Sequence, residues 1–390
     1  MIERTHHLLA LEGLLHRFPV VAILGTRQTG KTTIARQLLA RYPGPATLFD
    51  LEDPADLARL TNPMLALREL RGLVVLDEIQ RSPEIFPILR VLADRPEIPA
   101  RFLVLGSASQ DLLQQSSESL AGRIAFHDLE GFTLSEVGED ALRTLWVRGG
   151  FPRSFLAPSD VLSADWRDQF VRTFLERDLA QLGIQIPGTT LGRFWTMIAH
   201  YHGQIWNSSE LARAFGVSDT TVARYRDILT GALVVRQLAP WHENLQKRQV
   251  KSPKVYIIDS GLLHTLLNLE TFDDLAGHPK IGASWEGFGL AEVIARLGAR
   301  PRECFFWSTH SGAELDLLVV RGRRRLGFEF KYSDAPQITR SMHTALSDLK
   351  LDSLDMVHAG QHTFPLAENV RALSLARLQT DLAPLAELSS

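Results

Sequence analysis

Cysteine is almost missing from this 390-residue chain, where Cys304 is the only one. A lone thiol excludes an internal disulfide framework and a cysteine-built metal cage, and it fits a reducing cytoplasm. Long apolar runs are missing as well. None approaches the roughly 18 residues of a membrane helix, and Met1-Ile2-Glu3-Arg4-Thr5-His6-His7 has no signal-peptide core. A cytoplasmic protein with no membrane partner is therefore expected. There is no global basic field either, since the formal net charge is -3. Nucleic-acid contact would have to come from local clusters such as Lys247-Arg248-Gln249-Val250-Lys251 or Arg321-Gly322-Arg323-Arg324-Arg325, which read equally well as solvated surface. No long linker, low-complexity tract or internal repeat interrupts the chain.

What is present suits folded domains. With 45% hydrophobic and 22% charged residues, the chain can build two or three units, each with its own core. The sharpest motif is Gly25-Thr26-Arg27-Gln28-Thr29-Gly30-Lys31-Thr32, a complete G-x-x-x-x-G-K-T run. It follows the apolar stretch Val20–Leu24 and precedes the helix-like Thr33–Ala40, the strand-loop-helix context that a P-loop requires. The glycines let backbone N–H groups turn toward a β-phosphate, and the helix N-terminus adds partial positive charge. Lys31 is placed to reach the β- and γ-phosphates, and Thr32 to hold Mg2+. The nucleotide-binding set is thus Gly25 to Thr33, with ATP as the ligand.

Leu73-Val74-Val75-Leu76-Asp77-Glu78 reads as a buried parallel strand ending in two carboxylates. Ligands collect at the carboxyl ends of such strands, so Asp77 is assigned to Mg2+ and Glu78 to the attacking water. A third strand, Arg101–Leu105, leads to Gly106-Ser107-Ala108-Ser109, where Ser107 either senses the γ-phosphate or caps a helix. Thr47–Leu51 supplies another strand, stopped at Pro54. Hydrolysis needs positive charge on the developing phosphate, for which Arg123 and Arg81 are candidates. Each reads equally as a surface ion pair. Strands alternating with helices argue for a doubly wound α/β core.

From Val161 to Leu182 the pattern turns helical, as in a lid or connector. Asn207 to Leu229 then gives two helices around a Gly-containing turn, a helix-turn-helix pattern. Ser208 or Ser209 can cap the first helix, and Ser218 or Asp219 the second. Leu211, Val217, Val222 and Leu229 supply apolar positions, while Thr220, Thr221, Arg224 and Arg226 are the groups offered to DNA. Leu233–Leu238 would form a wing strand. The other reading of the pair is intramolecular or protein contact.

Further on, Val255–Asp259 reads as a strand and Ser284 to Arg296 as an amphipathic helix. Gly312–Val320 and Arg325–Lys331 read as a strand pair joined by a basic turn. On a strand, Glu329 and Lys331 share one face, and Asp316 on the partner strand can meet them. With Glu286 from the helix, Asp316 and Glu329 make a hard oxygen site suited to Mg2+ or Mn2+, and Lys331 can position a water. That set suits phosphodiester cleavage, and the competing reading is a buried ion pair of Lys331 with a carboxylate. His200 and His202 have no matching ligand set nearby and are read as structural.

The order of these motifs resembles a family of prokaryotic AAA-type ATPases whose C-terminal domain is of unknown function. The resemblance spans nearly the whole chain. It rests on Gly25–Thr33, Leu76-Asp77-Glu78-Ile79-Gln80-Arg81, Gly106–Ser109, Ser119-Leu120-Ala121-Gly122-Arg123, Lys251-Ser252-Pro253-Lys254-Val255-Tyr256 and Gly312-Ala313-Glu314-Leu315-Asp316. It implies a C-terminal domain similar to PD-(D/E)xK restriction endonucleases, with Asp316, Glu329 and Lys331 as the matching residues and Glu286 as the helix acid. The chain departs from that pattern in lacking a Pro-Asp pair at the first acidic position.

The expected organisation is an α/β P-loop ATPase domain over residues 1–147 and a helical connector over 148–200. A winged helix-turn-helix over 201–250 and a nuclease-like α/β domain over 251–390 follow. The expected activity is ATP binding and hydrolysis coupled to DNA, with a candidate Mg-dependent nuclease. The alternative is a regulatory switch, binding DNA or protein, whose nuclease-like domain is inactive. An arginine acting in trans would require a homo-oligomer.

Overall fold

The computed structural model describes residues 2–96, 99–107, 116, 118–181, 184, 186–242, 251–309 and 312–385. The chain forms two compact units, Met1–Gly131 with Gly231–Leu233, and Phe132–Thr230 with Val234–Ser390. Among the described residues no helix is long and apolar enough to cross a membrane.

The first unit is built on β1 (Val20–Gly25), β2 (Ala46–Asp50), β3 (Gly72–Asp77), β4 (Ala100–Ser107) and β5 (Ile124–Asp128), in the order β2-β3-β4-β1-β5. All four pairings are parallel. The continuous apolar runs follow from burial of both faces of this sheet. Val20, Ala22 and Leu24 join Val74, Leu76, Phe102 and Val104 in one core, covered by Phe86 and Leu89 of the helix Ile85–Ala93. Val21 and Ile23 join Leu73, Val75, Leu103 and Leu105 in the other, covered by Leu8 and Leu11 of the helix Thr5–Arg17 and by Ile34 and Leu38 of the helix Lys31–Arg41. Each fully buried leucine contributes about 1.5–3 kcal/mol. Because β4 lies between β1 and β3, the carboxyl ends of the strands open a crevice where chain order reverses, the usual place for a ligand.

The second unit carries a mixed sheet of β6 (Gln204–Ile205), β7 (Val235–Pro240), β8 (Lys254–Ile257), β9 (Cys304–Ser308), β10 (Glu314–Arg321), β11 (Arg324–Lys331), β12 (Ser353–His358), β13 (Phe364–Ala367) and β14 (Val370–Ser374). Their order is β13-β14-β12-β11-β10-β9-β7-β8-β6. The wing strand β7 runs antiparallel to β8 and parallel to β9, so the helix-turn-helix segment and the C-terminal strands share one sheet. The hairpin β10–β11 pairs Leu317 with Phe328 and Arg321 with Arg324. The helix Ile281–Leu297 packs on β11, where Gly289 leaves room for the Phe330 ring.

Several local expectations change. The helical stretch from Val161 begins at Asp160, with Ser159 as its cap, and runs to Thr173. A π-turn at Phe174–Asp178 and the short helix Leu179–Gln181 follow, and Leu182 lies outside the described residues. The first helix of the helix-turn-helix, Ser208–Phe215, is capped by Asn207, whose Oδ1 accepts from the Glu210 N–H at 3.3 Å. Neither serine does this work. Ser208 Oγ accepts from the Trp206 indole at 2.7 Å, and Ser209 Oγ donates to Asp219 at 2.8 Å. Ser218 does receive the Thr221 N–H at 3.2 Å, as a cap of the second helix, Asp219–Gly231. Asp259 belongs to no strand; it caps the helix Ser260–Leu266 through the Leu262 N–H at 2.8 Å.

His202 is buried, and its Nδ1 accepts from the Ile257 N–H at 3.0 Å. His264 is buried between the Val147 carbonyl at 3.0 Å and Ser284 Oγ at 2.7 Å. Burial is the main cause that lowers His202 to about 3 and His264 to about 4, from an ordinary 6.5. Both are neutral in the fold. Their contribution to stability is present above pH 6.5 and is lost as pH falls toward these values, because only the unfolded chain readily takes up the protons. Thermal unfolding followed by circular dichroism is expected to show a midpoint that falls on acidification below about pH 6.5, and less steeply in His264→Gln. Equal slopes in the two proteins would remove His264 from this account.

Candidate functional site

In the first unit the strand β1 ends in Gly25, and the helix Lys31–Arg41 begins after a five-residue loop, Thr26–Gly30. Gly25 is required by close approach, since a Cβ there would collide with the Leu129 carbonyl. Gly30 has φ 96°, a left-handed conformation that suits glycine. Lys31 is buried and donates from Nζ to the Gly25 carbonyl at 3.0 Å and the Thr26 carbonyl at 2.8 Å. Thr29 Oγ1 also donates to the Thr26 carbonyl, at 3.0 Å. Arg27 is half-buried, and Gln28 and Thr33 are exposed.

Thr32 and Asp77 meet directly, with Thr32 Oγ1 donating to Asp77 Oδ2 at 2.6 Å. Burial raises the Asp77 carboxyl above its ordinary value, the Thr32 bond opposes that, and the Glu78 charge adds to it. Asp77 Oδ1 accepts the Glu78 N–H at 2.9 Å, and Glu78 itself takes the left-handed φ of 56°. The Glu78 carboxylate accepts from the Gln80 side-chain amide. Ser107 ends β4 directly opposite Gly25, the first P-loop residue. Its Oγ is buried without a hydrogen-bond partner among the described residues, and residues 108–109 of the same motif lie outside them.

The two arginine candidates are both held by carboxylates. Arg123 pairs with Asp94 through Nε at 2.5 Å and Nη2 at 3.0 Å, and Arg81 reaches Glu52 at 3.4 Å. Arg4 was given no role by sequence reasoning. It is nevertheless buried, and its guanidinium donates to the carbonyls of Thr29 at 3.3 Å, Glu130 at 2.9 Å and Gly131 at 2.9 Å. No pattern in the sequence signals this, because the acceptors are backbone atoms.

In the second unit the structure brings Glu286 and Asp316 together, but around a lysine. Lys254 Nζ lies 3.2 Å from Glu286 Oε1 and 3.1 Å from Asp316 Oδ1, and it also pairs with Glu314. Tyr256 OH donates to Glu286 Oε1 at 2.7 Å, and Asp316 Oδ2 accepts the Phe330 N–H at 3.1 Å. Glu329 pairs separately with Lys331 at 2.9 Å; the carboxylate is buried but the lysine is exposed, so this is not the buried pair named as the competing reading. The second Glu329 oxygen is buried without a partner among the described residues.

Burial alone would lower the Lys254 ammonium. The surrounding Tyr256, Asp316, Glu286 and Glu314 outweigh it and hold the group well above 10.5. Burial and then the Asp316 charge raise Glu286 to about 7 and Glu329 to about 8. The expected divalent-metal set of Glu286, Asp316 and Glu329 is not shown: Lys254 is the cation beside Glu286 and Asp316, and no group of three or more His, Cys, Asp or Glu able to hold a metal occurs among the described residues. Lys254 and Tyr256 are alternate residues on one face of β8, but the carboxylates they meet come from β10 and the helix Ile281–Leu297, neither paired with β8, so only the fold shows the contact.

The nucleic-acid candidates fare unevenly. Thr220 and Arg224 are exposed, whereas Arg226 is tied to Asp227 at 2.9 Å and lies over the Trp206 ring. Of the basic turn, Arg323 and Arg324 are exposed. Arg321 pairs with Glu303 at 2.7 Å, and Arg325 donates to the Leu349 carbonyl at 2.7 Å. Lys247–Val250 lie outside the described residues.

Comparison with known proteins gives three family matches: an AAA domain over residues 17–138, a domain of unknown function (DUF8612) over 139–273 and a domain of unknown function (DUF4143) over 281–378. Uncharacterized proteins of Mycobacterium tuberculosis and Mycobacterium bovis are each 52% identical over 380 residues, covering 97% of this chain and 85% of theirs. Among solved structures, a Walker-type ATPase of Pyrococcus abyssi is 14% identical with a TM-score of 0.46, covering 68% of this chain and 96% of its own.

Replacing Lys254 by Met keeps the length of the side chain and leaves Glu286 and Asp316 facing one another without their cation. Breaking a buried pair in this way costs about 3–5 kcal/mol, to be read from urea unfolding. A loss below about 1 kcal/mol would place this lysine among weakly contributing surface pairs.

Proposed function

Because this chain belongs to the family of AAA-domain ATPases that end in the domain of unknown function 4143, we propose that it hydrolyses ATP at Gly25–Thr33 and acts as a DNA-linked switch. The observation that carries the reading is the junction of Thr32 with Asp77 beside the buried Lys31. Lys31 trades the Gly25 and Thr26 carbonyls for phosphate oxygens, a stronger, charge-assisted contact. The loop N–H groups and the start of the helix Lys31–Arg41 bind the phosphates. Thr32 and Asp77 are hard oxygen donors that fit Mg2+, which when bound supplies positive charge beside the phosphates. Glu78 orients the attacking water and takes its proton, and Ser107 reads the γ-phosphate from the tip of β4. Arg123, at the surface of its unit, is the arginine offered to a neighbouring copy.

The second unit enters the proposal as a restriction-endonuclease-like domain that binds without cutting. Lys254 supports this reading over cleavage, because an ammonium already satisfies Glu286, Glu314 and Asp316. Thr220 and Arg224 on the second helix of the helix-turn-helix, with Arg323 and Arg324, are the groups for phosphate contact.

ATP turnover with Mg2+ is to be measured without and with single- or double-stranded DNA, following the DNA on the same gel. Turnover altered by DNA that stays intact is expected, with nucleotide binding abolished in Lys31→Ala. Strand cleavage that disappears in Asp316→Ala would overturn the non-cutting reading, and turnover indifferent to DNA would replace DNA by a protein partner.

A further inference from the structure

Gln80 is not accounted for by phosphate or metal chemistry, yet it touches both groups that face the reacting end of the nucleotide in the proposed site. It lies in the 3-10 turn Ile79–Arg81 directly after Glu78. Ile79 is fully buried in the core under β3, which anchors the turn. The Gln80 side chain is half-buried and bonded at both ends: its Nε2 donates to Glu78 Oε2, and its Oε1 accepts the Ser107 N–H at 3.4 Å. Ser107, in turn, stands in register with Gly25 at the start of the P-loop.

We propose that Gln80 is a positioning residue that fixes the Glu78 carboxylate and ties it to the tip of β4. Two contacts define the carboxylate. The Glu78 backbone is set by its N–H bond to Asp77 Oδ1 at 2.9 Å, and its side chain by the Gln80 amide. One oxygen is thereby occupied and the other is left to meet a water. The chemistry selects the residue type. A carboxamide offers a donor for a carboxylate at one end and an acceptor for a backbone N–H at the other. A carboxylate of the same size offers only acceptors and would repel Glu78, and alanine would release both partners.

The inference rests on the reading that Glu78 activates water. Its effect is confined to turnover, because Gln80 does not touch Lys31, Thr32 or the loop N–H groups. In the full-length chain, Gln80→Ala and Gln80→Glu are to be compared with wild type and Glu78→Gln for kcat, KM and affinity for a fluorescent ATP analogue.

The expected result for Gln80→Ala is a loss of kcat of about 10–100-fold, the range seen when an orienting partner is removed. Nucleotide affinity should stay within about 3-fold, since uniform binding is untouched. Gln80→Glu should lose at least as much although its volume is unchanged, because it sets a second carboxylate against Glu78 where the amide donated. A purely structural role would be rescued by this equal-volume change, or would weaken nucleotide affinity along with kcat. Unchanged kcat in Gln80→Ala, with turnover lost in Glu78→Gln, would overturn the proposal alone. Equal turnover in Glu78→Gln and wild type would overturn both the proposal and the reading beneath it.

Discussion

The hydrogen bond from Thr32 to Asp77, 2.6 Å long, joins two segments separated by 45 residues, and the proposed nucleotide site depends on it. It forms because β1 and β3 deliver their carboxyl ends to the same edge of the sheet with β4 between them. The sheet holds that arrangement because its strands are apolar on both faces, so a slip of one residue would exchange two complete cores. That shared edge sets a hydroxyl, a carboxylate and a lysine side by side. Burial of Asp77 is the cost of this arrangement, visible in the raised carboxyl, and the Thr32 hydroxyl offsets part of it.

The two units use a buried lysine in opposite ways. Lys31 rests on two backbone carbonyls, neutral acceptors that an anionic phosphate readily replaces. Lys254 rests among the carboxylates of Glu286, Glu314 and Asp316, with the Tyr256 hydroxyl on Glu286 completing the set. Displacing it would leave several buried charges unpaired, which is far more costly. The first lysine is therefore receptive to a ligand, and the second already serves as the counter-ion of its site.

Much of the first unit is legible in the sequence because its signals are local. A glycine-rich loop between an apolar strand and a helix can hardly be anything else, and Leu73–Leu76 ending in Asp77 and Glu78 announces a buried parallel strand. Pairing across the sheet is not local, so Ser107 opposite Gly25 and Gln80 between Glu78 and Ser107 emerge only from the fold. In the second unit the carboxylates were found by their spacing, but the ion that they hold was not. Lys254 is distant from Asp316 in sequence, and β7 and β9 lie between β8 and β10 in the sheet, so no local or neighbouring-strand pattern announces their contact. The cap of the first helix differs for a simpler reason: Asn207, Ser208 and Ser209 are all good cap residues, and bonds to Trp206 and Asp219 occupy the two serines, whereas Ser218 caps the second helix as expected. Arg226, one of the groups the sequence offers to DNA, lies over the Trp206 ring, which nothing in its own helix reveals.

The central claim is that the Thr32–Asp77 junction serves nucleotide hydrolysis rather than binding alone. The most direct measurement is the release of inorganic phosphate from ATP by the purified chain, followed in Mg2+ and again after chelation. The account predicts steady, saturable release that stops when the divalent ion is removed. Tight nucleotide binding with no phosphate released, or release indifferent to chelation, would contradict it.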